Sequence, residues 1–184
     1  MHWESEKFSR KGFLNRVSFA GLLFVSWACA DEKKEKYLFF SDYELKILEA
    51  WAISVLPGEK NVSDFRQAEV MRRLDEEFYF VSEEIQEEFH MAIIGLDYLP
   101  FFYGHFSRFH KLSKEDRISF LEKTKDTDSD AIRAIIGNLK LVTFLAYYCH
   151  ESTWKQIGYD GPFGNPPEKW SESRIHYKKS VNVS

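Results

Sequence analysis

Between Asp130 and Tyr148 the apolar positions Ile132, Ile135, Ile136, Leu139, Val142 and Ala146 follow the three-and-four spacing of a helix, and Phe144, Leu145, Tyr147 and Tyr148 fill the remaining faces. A helix that begins one-sided and ends apolar nearly all round is usually enclosed by others, so the pattern predicts a buried central helix near 130–149. Four helices precede it by the same criteria. Residues 41–44 (SDYE) form a capping box, Phe40 can staple onto Leu45, and Leu45, Leu48, Trp51, Ala52 and Val55 give a stripe that stops at Pro57-Gly58, which predicts a helix over 42–56. Ser63 is the expected N-cap of a second helix carrying Phe65, Val70, Met71, Leu74 and Phe78, ending near Val81. Ser82 can cap a third, with Ile85, Phe89, Ala92, Ile93 and Leu96 on one face and Pro100 closing it. Leu112 and Ser113 repeat the staple-and-cap arrangement ahead of a fourth helix through Ile118 and Leu121.

After Tyr148 the pattern changes to a turn-rich arm, with Trp154, Ile157, Gly158, Tyr159, Asp160, Gly161 and Pro162. Its rings need a surface to lie on: either they dock on another polypeptide, or they fold back and staple the bundle. The aromatic connector 101–110 (FFYGHFSRFH) roofs the core or faces a partner in the same way. Beyond Pro162 the pair Pro166-Pro167, Trp170 and a basic tail read as extended. The expectation is therefore an all-α fold, a compact bundle of about five helices around the 130–149 helix with an irregular aromatic C-terminal arm. Residues 31–40 are a linker, 41–162 the helical domain and 163–184 an extended tail.

Composition narrows the partners. The length of 184 residues is enough for one domain with a sizeable core, and few segments alternate as strands do. Residues 1–30 carry a charge of +2 and the remainder −6, so the folded part lacks the positive face that phosphate neutralisation requires, which argues against nucleic acid. Cys29 and Cys149 are too few for a disulfide framework, and Cys149 reads as a small buried hydrophobe on the central helix.

The first thirty residues have the layout of an export signal. Arg10 and Lys11 are followed by Phe13, Leu14 and an uncharged run from Val17, which is too short to span a bilayer as a stable helix; Ala28 and Ala30 then flank an A-x-A cleavage site. The S-R-x-x-F-L pattern resembles the twin-arginine leader that exports folded proteins, with Lys11 standing where the second arginine belongs. Lipidation of Cys29 and retention of the segment as a membrane-lying helix are the alternatives.

Chemistry-bearing motifs are sparse. Asp126, Asp128 and Asp130 imitate the opening of a calcium loop, but Ala131 occupies its glycine position and Gly137 its bidentate glutamate position, so the cluster reads as a solvated helix start. Glu87-x-x-His90 has the spacing used in di-iron bundles but lacks a second copy, and reads as a surface contact. His105 and His110 lie in a connector without cysteine partners or a third close ligand. With no nucleophile elbow, nucleotide loop or haem attachment site, the chain reads as non-catalytic, carrying no cofactor or metal.

The leader, the 48–57 helix ending ISVLP, the Phe109-x-x-Leu112-Ser113-x-x-x-Arg117 segment, and Tyr147-Tyr148 followed by Trp154-x-x-Ile157-Gly158-Tyr159-x-Gly161-Pro162 resemble the gluconate 2-dehydrogenase subunit 3 family. The resemblance runs from the leader to about Pro162, and the closing Trp-to-Gly-Pro signature is its most specific part. It implies a cofactor-free small subunit of a periplasmic complex, associated with the inner membrane only through that complex. FAD would belong to a large sugar, sugar-acid or polyol dehydrogenase subunit, often joined by a cytochrome c subunit. The small subunit would escort the folded, flavin-loaded partner through export. On this expectation Trp154, Tyr159, Gly161 and Pro162 bind the partner. The competing expectation is a free-standing helical ligand-binding protein or metalloenzyme of the envelope using Glu87, His90 or His105.

Overall fold

A computed structural model of the chain describes residues 36–57, 64–162, 164 and 169–182. The leader positions Arg10, Lys11, Phe13, Leu14, Ala28 and Ala30, the expected cap Ser63, and Pro166-Pro167 lie outside the described residues. Among the described residues the fold is all-α: α1 Asp42–Val55, α2 Val70–Tyr79, α3 Glu83–Tyr98, α4 Lys114–Thr124, α5 Asp130–Tyr148, the single turn α6 Glu151–Trp154, and α7 Glu172–Asn182. Short 3-10 turns at Leu99–Tyr103, Phe109–Lys111 and Lys155–Ile157 connect them.

The centre of the bundle is α1. Its capping box forms as the sequence predicts: the Ser41 hydroxyl accepts from the Glu44 amide, and the Glu44 carboxylate accepts from the Ser41 amide at 2.9 Å. Leu56 is extended because Pro57 follows it, which ends the helix. Ile47, Leu48, Trp51 and Ala52 are completely or almost completely buried, and α1 packs against α2, α3, α4 and the 109–111 turn. The Trp51 indole N–H donates to Thr143 Oγ1 at 3.0 Å, satisfying the one polar atom of a ring enclosed in the core.

The expected central helix, α5, lies at the edge of the bundle instead. Leu139, Thr143, Ala146 and Tyr147 are buried, but Leu141 and Leu145 on the opposite face are each 58% exposed. The apolar all-round pattern is real; neighbours cover only one side of it, where α5 packs on α2 and α3. α5 is long and apolar enough, by length and composition only, to cross a membrane, and 22% of its most apolar window is buried within the protein.

One boundary, one cap and one inward face differ from the sequence pattern. The second helix starts at Val70, because Glu69 adopts a left-handed conformation (φ 49°). The bonds Val70 N–H to Phe65 O (3.0 Å) and Glu69 N–H to Arg66 O (3.1 Å) close the preceding turn as a Schellman motif, which lets Phe65, Ala68 and Val70 all face the core. Ser82 precedes α3 without a side-chain cap; Gln86 instead donates to the carbonyls of Phe78 (2.9 Å) and Tyr79 (3.1 Å) at the end of α2. In α4 the inward face is Arg117, Phe120 and Thr124, while Ile118 is exposed. Arg117 donates to Ser54 Oγ (2.9 Å) and Leu112 O (3.0 Å), tying α4 to α1, and burial holds its guanidinium below the usual range.

The expected linker and tail are both structured where described. The fully buried Asp75 carboxylate accepts from the amides of Leu38 (2.8 Å), Phe39 (2.9 Å) and Phe40 (2.9 Å) and from the Tyr177 hydroxyl (2.6 Å). One side chain on α2 thus holds the approach to α1 and the C-terminal helix α7 to the same point. Tyr177 is almost fully enclosed, so residues 172–182 are a docked helix, not an extended tail. Lys36 Nζ reaches Ser180 O at 3.0 Å across the same junction.

Candidate docking surface

The exposed face of α5 follows from its sequence once the core stripe is located. At about 100° per residue, Leu139, Thr143 and Ala146 cluster on one side. Ala134, Asn138, Leu141, Leu145 and Tyr148, spaced four, three, four and three, fall on the opposite side. That spacing is the seam of a paired helix, here without a described helix across it. Gly137, Leu141, Phe144, Leu145 and Tyr148 line an open, mainly apolar groove of about 440 Å³, with Lys140 and Cys149 at its margins. Lys140 also stands over the Phe144 ring at 5.5 Å, and it and Gly137 border a second cleft between α1, α4 and α5. Cys149, expected to be buried, is exposed.

The aromatic arm continues this face. Thr153 is fully buried and its hydroxyl bonds to the carbonyls of Tyr147 and His150, which turns the chain sharply after α5. The Trp154 indole N–H donates to Tyr148 O at 3.2 Å, and Tyr159 meets the Trp154 ring edge-on with centroids 5.3 Å apart. Gly161 has φ 114°, a backbone conformation that favours glycine, and a Cβ there would crowd the Trp154 ring at 3.3 Å from Cζ3. The arm therefore packs on itself and on the C-terminal end of α5, with Trp154 and Tyr159 half-buried and Pro162 exposed. Of the two sequence readings this geometry is the folded-back one, with Trp154 bonded to the carbonyl of Tyr148, a residue that also lines the α5 groove.

The polar candidates are drawn into the frame. Glu87 is exposed and His90 pairs with Glu44, the capping-box glutamate of α1, while Phe39 stacks on the imidazole at 4.2 Å. The fully buried Asp97 accepts from the His110 amide (3.1 Å) and from Tyr43 Oη (2.5 Å), and lies 2.7 Å from His110 Nδ1. Arg108 donates to the same Tyr43 oxygen at 2.9 Å; burial, then the bond to Asp97, raises the Tyr43 phenol. This network joins α1, the end of α3 and the 109–111 turn. Ser129, rather than the aspartates beside it, caps α5, and Asp130 pairs with Arg133. Among the described residues no group of three or more His, Cys, Asp or Glu side chains converges as metal ligands would.

Leu141 and the carboxylates Asp75 and Asp97 are not singled out in the sequence, and Leu145 enters there only as filling a remaining face of the helix. The outward leucines are detectable as a second 4-3-4-3 register on α5. The aspartates carry no local signal, because their donors come from residues 13 to 102 positions away. Comparison with family models, with curated proteins and with solved structures finds no match to this chain.

Proposed function

We propose that the chain is a non-catalytic small subunit of a periplasmic, flavin-dependent sugar, sugar-acid or polyol dehydrogenase complex. In this reading it assists export, maturation and stabilisation of a large subunit that carries the FAD. The observation that carries the proposal is the outer face of α5, on which, among the described residues, Leu141 and Leu145 stand exposed at an apolar groove whose Tyr148 is bonded through its carbonyl to Trp154 of the arm. A helix with this seam gains by burying it against an amphipathic helix of another polypeptide, at roughly 25 cal/mol per Å² of apolar surface removed from water. The engagement of Asp75 and Asp97 in backbone and tyrosine bonds is in keeping with a supporting role. The sequence resemblance supplies the identity of the partner, and a cytochrome c subunit would be a further member of the assembly.

Co-expression of the full chain with the flavin-dependent large subunit and affinity purification tests the reading. Leu141→Glu with Leu145→Glu is expected to reduce recovery of the large subunit at least about tenfold, since two charges would be buried without partners. Trp154→Ala and Tyr159→Ala should each weaken it less. Full recovery with all of these variants, each shown to fold by circular dichroism, defeats the proposal.

A further inference from the structure

From Tyr98 to Lys114 the chain contains no acidic residue, although it carries 29 Asp and Glu among 184 residues; acidic side chains resume at Glu115 and Asp116. The same segment contains Arg108, Lys111 and Lys114, with Lys111 and Lys114 exposed. It also holds the most exposed large apolar side chains described in the protein, Phe106 at 99% and Phe102 at 83%, with Phe101 and Tyr98 more than two-fifths exposed. Isolated surface hydrophobes need no explanation, but three phenylalanines within six residues beside a purely cationic set do.

The loop is held rigidly from below. Leu99, Pro100 and Phe109 are buried, Tyr103 meets Phe120 edge-on at 5.4 Å, and His105 N–H bonds to Pro100 O at 3.0 Å. Gly104, at φ 81°, makes the reversal that sends Phe102 and Phe106 outward on either side of it. Arg108 is stacked over Tyr98 at 4.9 Å, keeping its charge at the base of the loop. Rings this exposed protrude instead of lining a groove. A protein partner would need a matching pair of pockets, whereas the boundary of a lipid layer accepts protruding rings and places anionic headgroups at the level of the cations behind them.

We infer that the 98–114 loop is a membrane-contacting device, in which Phe102 and Phe106 enter the headgroup and acyl boundary of an anionic bilayer while Lys111 and Lys114 meet its phosphates. This surface is separate from the α5 face proposed above to bind the large subunit, and the two stand or fall independently.

Lipid titrations of the full chain by vesicle co-sedimentation would read the partition coefficient on phosphatidylglycerol-containing and on pure phosphatidylcholine vesicles. Residues 1–35 are common to every variant, so ratios between variants isolate the loop. Phe102→Ser with Phe106→Ser is expected to lower the partition coefficient on anionic vesicles at least about tenfold, the scale of withdrawing two rings from an apolar boundary. Lys111→Glu and Lys114→Glu should each cost about fivefold or more on anionic vesicles and little on neutral ones. Met91→Ser, which removes an exposed apolar side chain from α3, should change nothing. Unchanged partitioning of the double phenylalanine variant overturns the inference, as does an equal fall with Met91→Ser. Loss of large-subunit co-purification with vesicle binding intact would assign the loop to a protein contact and overturn it too, without touching the α5 proposal.

Discussion

Replacing Asp75 by alanine is expected to cost the fold about 3–5 kcal/mol and to release residues 37–40 and α7 together, because four donors lose their acceptor, two of them, the Phe40 amide and the Tyr177 hydroxyl, in buried bonds. Each orphaned buried donor carries a penalty on the order of 1–3 kcal/mol, and a domain of this size has roughly 5–15 kcal/mol in total, so the variant would be close to unfolding. Urea denaturation followed by circular dichroism measures the loss, and hydrogen exchange at Leu38, Phe39 and Phe40 locates it. A cost below about 1 kcal/mol would show that water reaches the site and replaces the carboxylate.

The same site has an alkaline signature. Burial first, and the bond to Asp75 second, push the Tyr177 phenol well above its ordinary value of 10.0, so the folded protein holds that proton more tightly than the unfolded chain does. The stability it contributes is fully present below pH 10 and is lost as pH rises past the ordinary tyrosine range toward the folded value. Tyr177→Phe should flatten that decline while costing a smaller amount at neutral pH. Because Tyr43 and Tyr147 are also raised, chiefly by burial, the decline should be reduced rather than abolished. An unaltered alkaline limb in the variant would remove Tyr177 from the explanation.

The second large effect is Trp51→Ala, expected to destabilise by about 3–5 kcal/mol, against under about 1 kcal/mol for Leu141→Ala. Both residues are large, apolar and set in a helical stripe, and the sequence pattern ranks the Leu141 helix as the more central. Trp51 loses packing against the 109 ring, 6.3 Å away, and a bond to Thr143; Leu141 is already more than half in water. Comparing the two denaturation midpoints therefore measures directly which helix the core is built on. Equal losses would place α5 at the centre after all. The small stability cost expected at Leu141 also matters for function, since a surface helix face can be altered to test docking without unfolding the subunit.

Most local features were legible where one stretch of chain contains both partners of an interaction, the cap expected of Ser82 being the exception. The SDYE box of α1, the Ser113 cap of α4, the stop before Pro57 and the all-α class are of this kind, since capping and periodicity act within four residues. The Phe65–Glu69 turn was hidden because a non-glycine residue in the left-handed region leaves no mark in composition. Within the aromatic arm, Gly158 and Gly161 announce the turns, but only the close approach of Gly161 to Trp154 shows that the rings lie against the bundle.

What the amino-acid order alone determined is therefore the helical class, the position of most helix ends, the apolar character of α5 and the accumulation of phenylalanine and lysine between 98 and 114. The tertiary structure decided which side of α5 is covered, that α1 is the enclosed helix, and that Asp75 joins the start of the domain to α7. The physical reason is that hydrophobicity tells how much surface a helix gains by burying, whereas the side that is buried, and the donors that reach a buried carboxylate, depend on segments brought together only by folding.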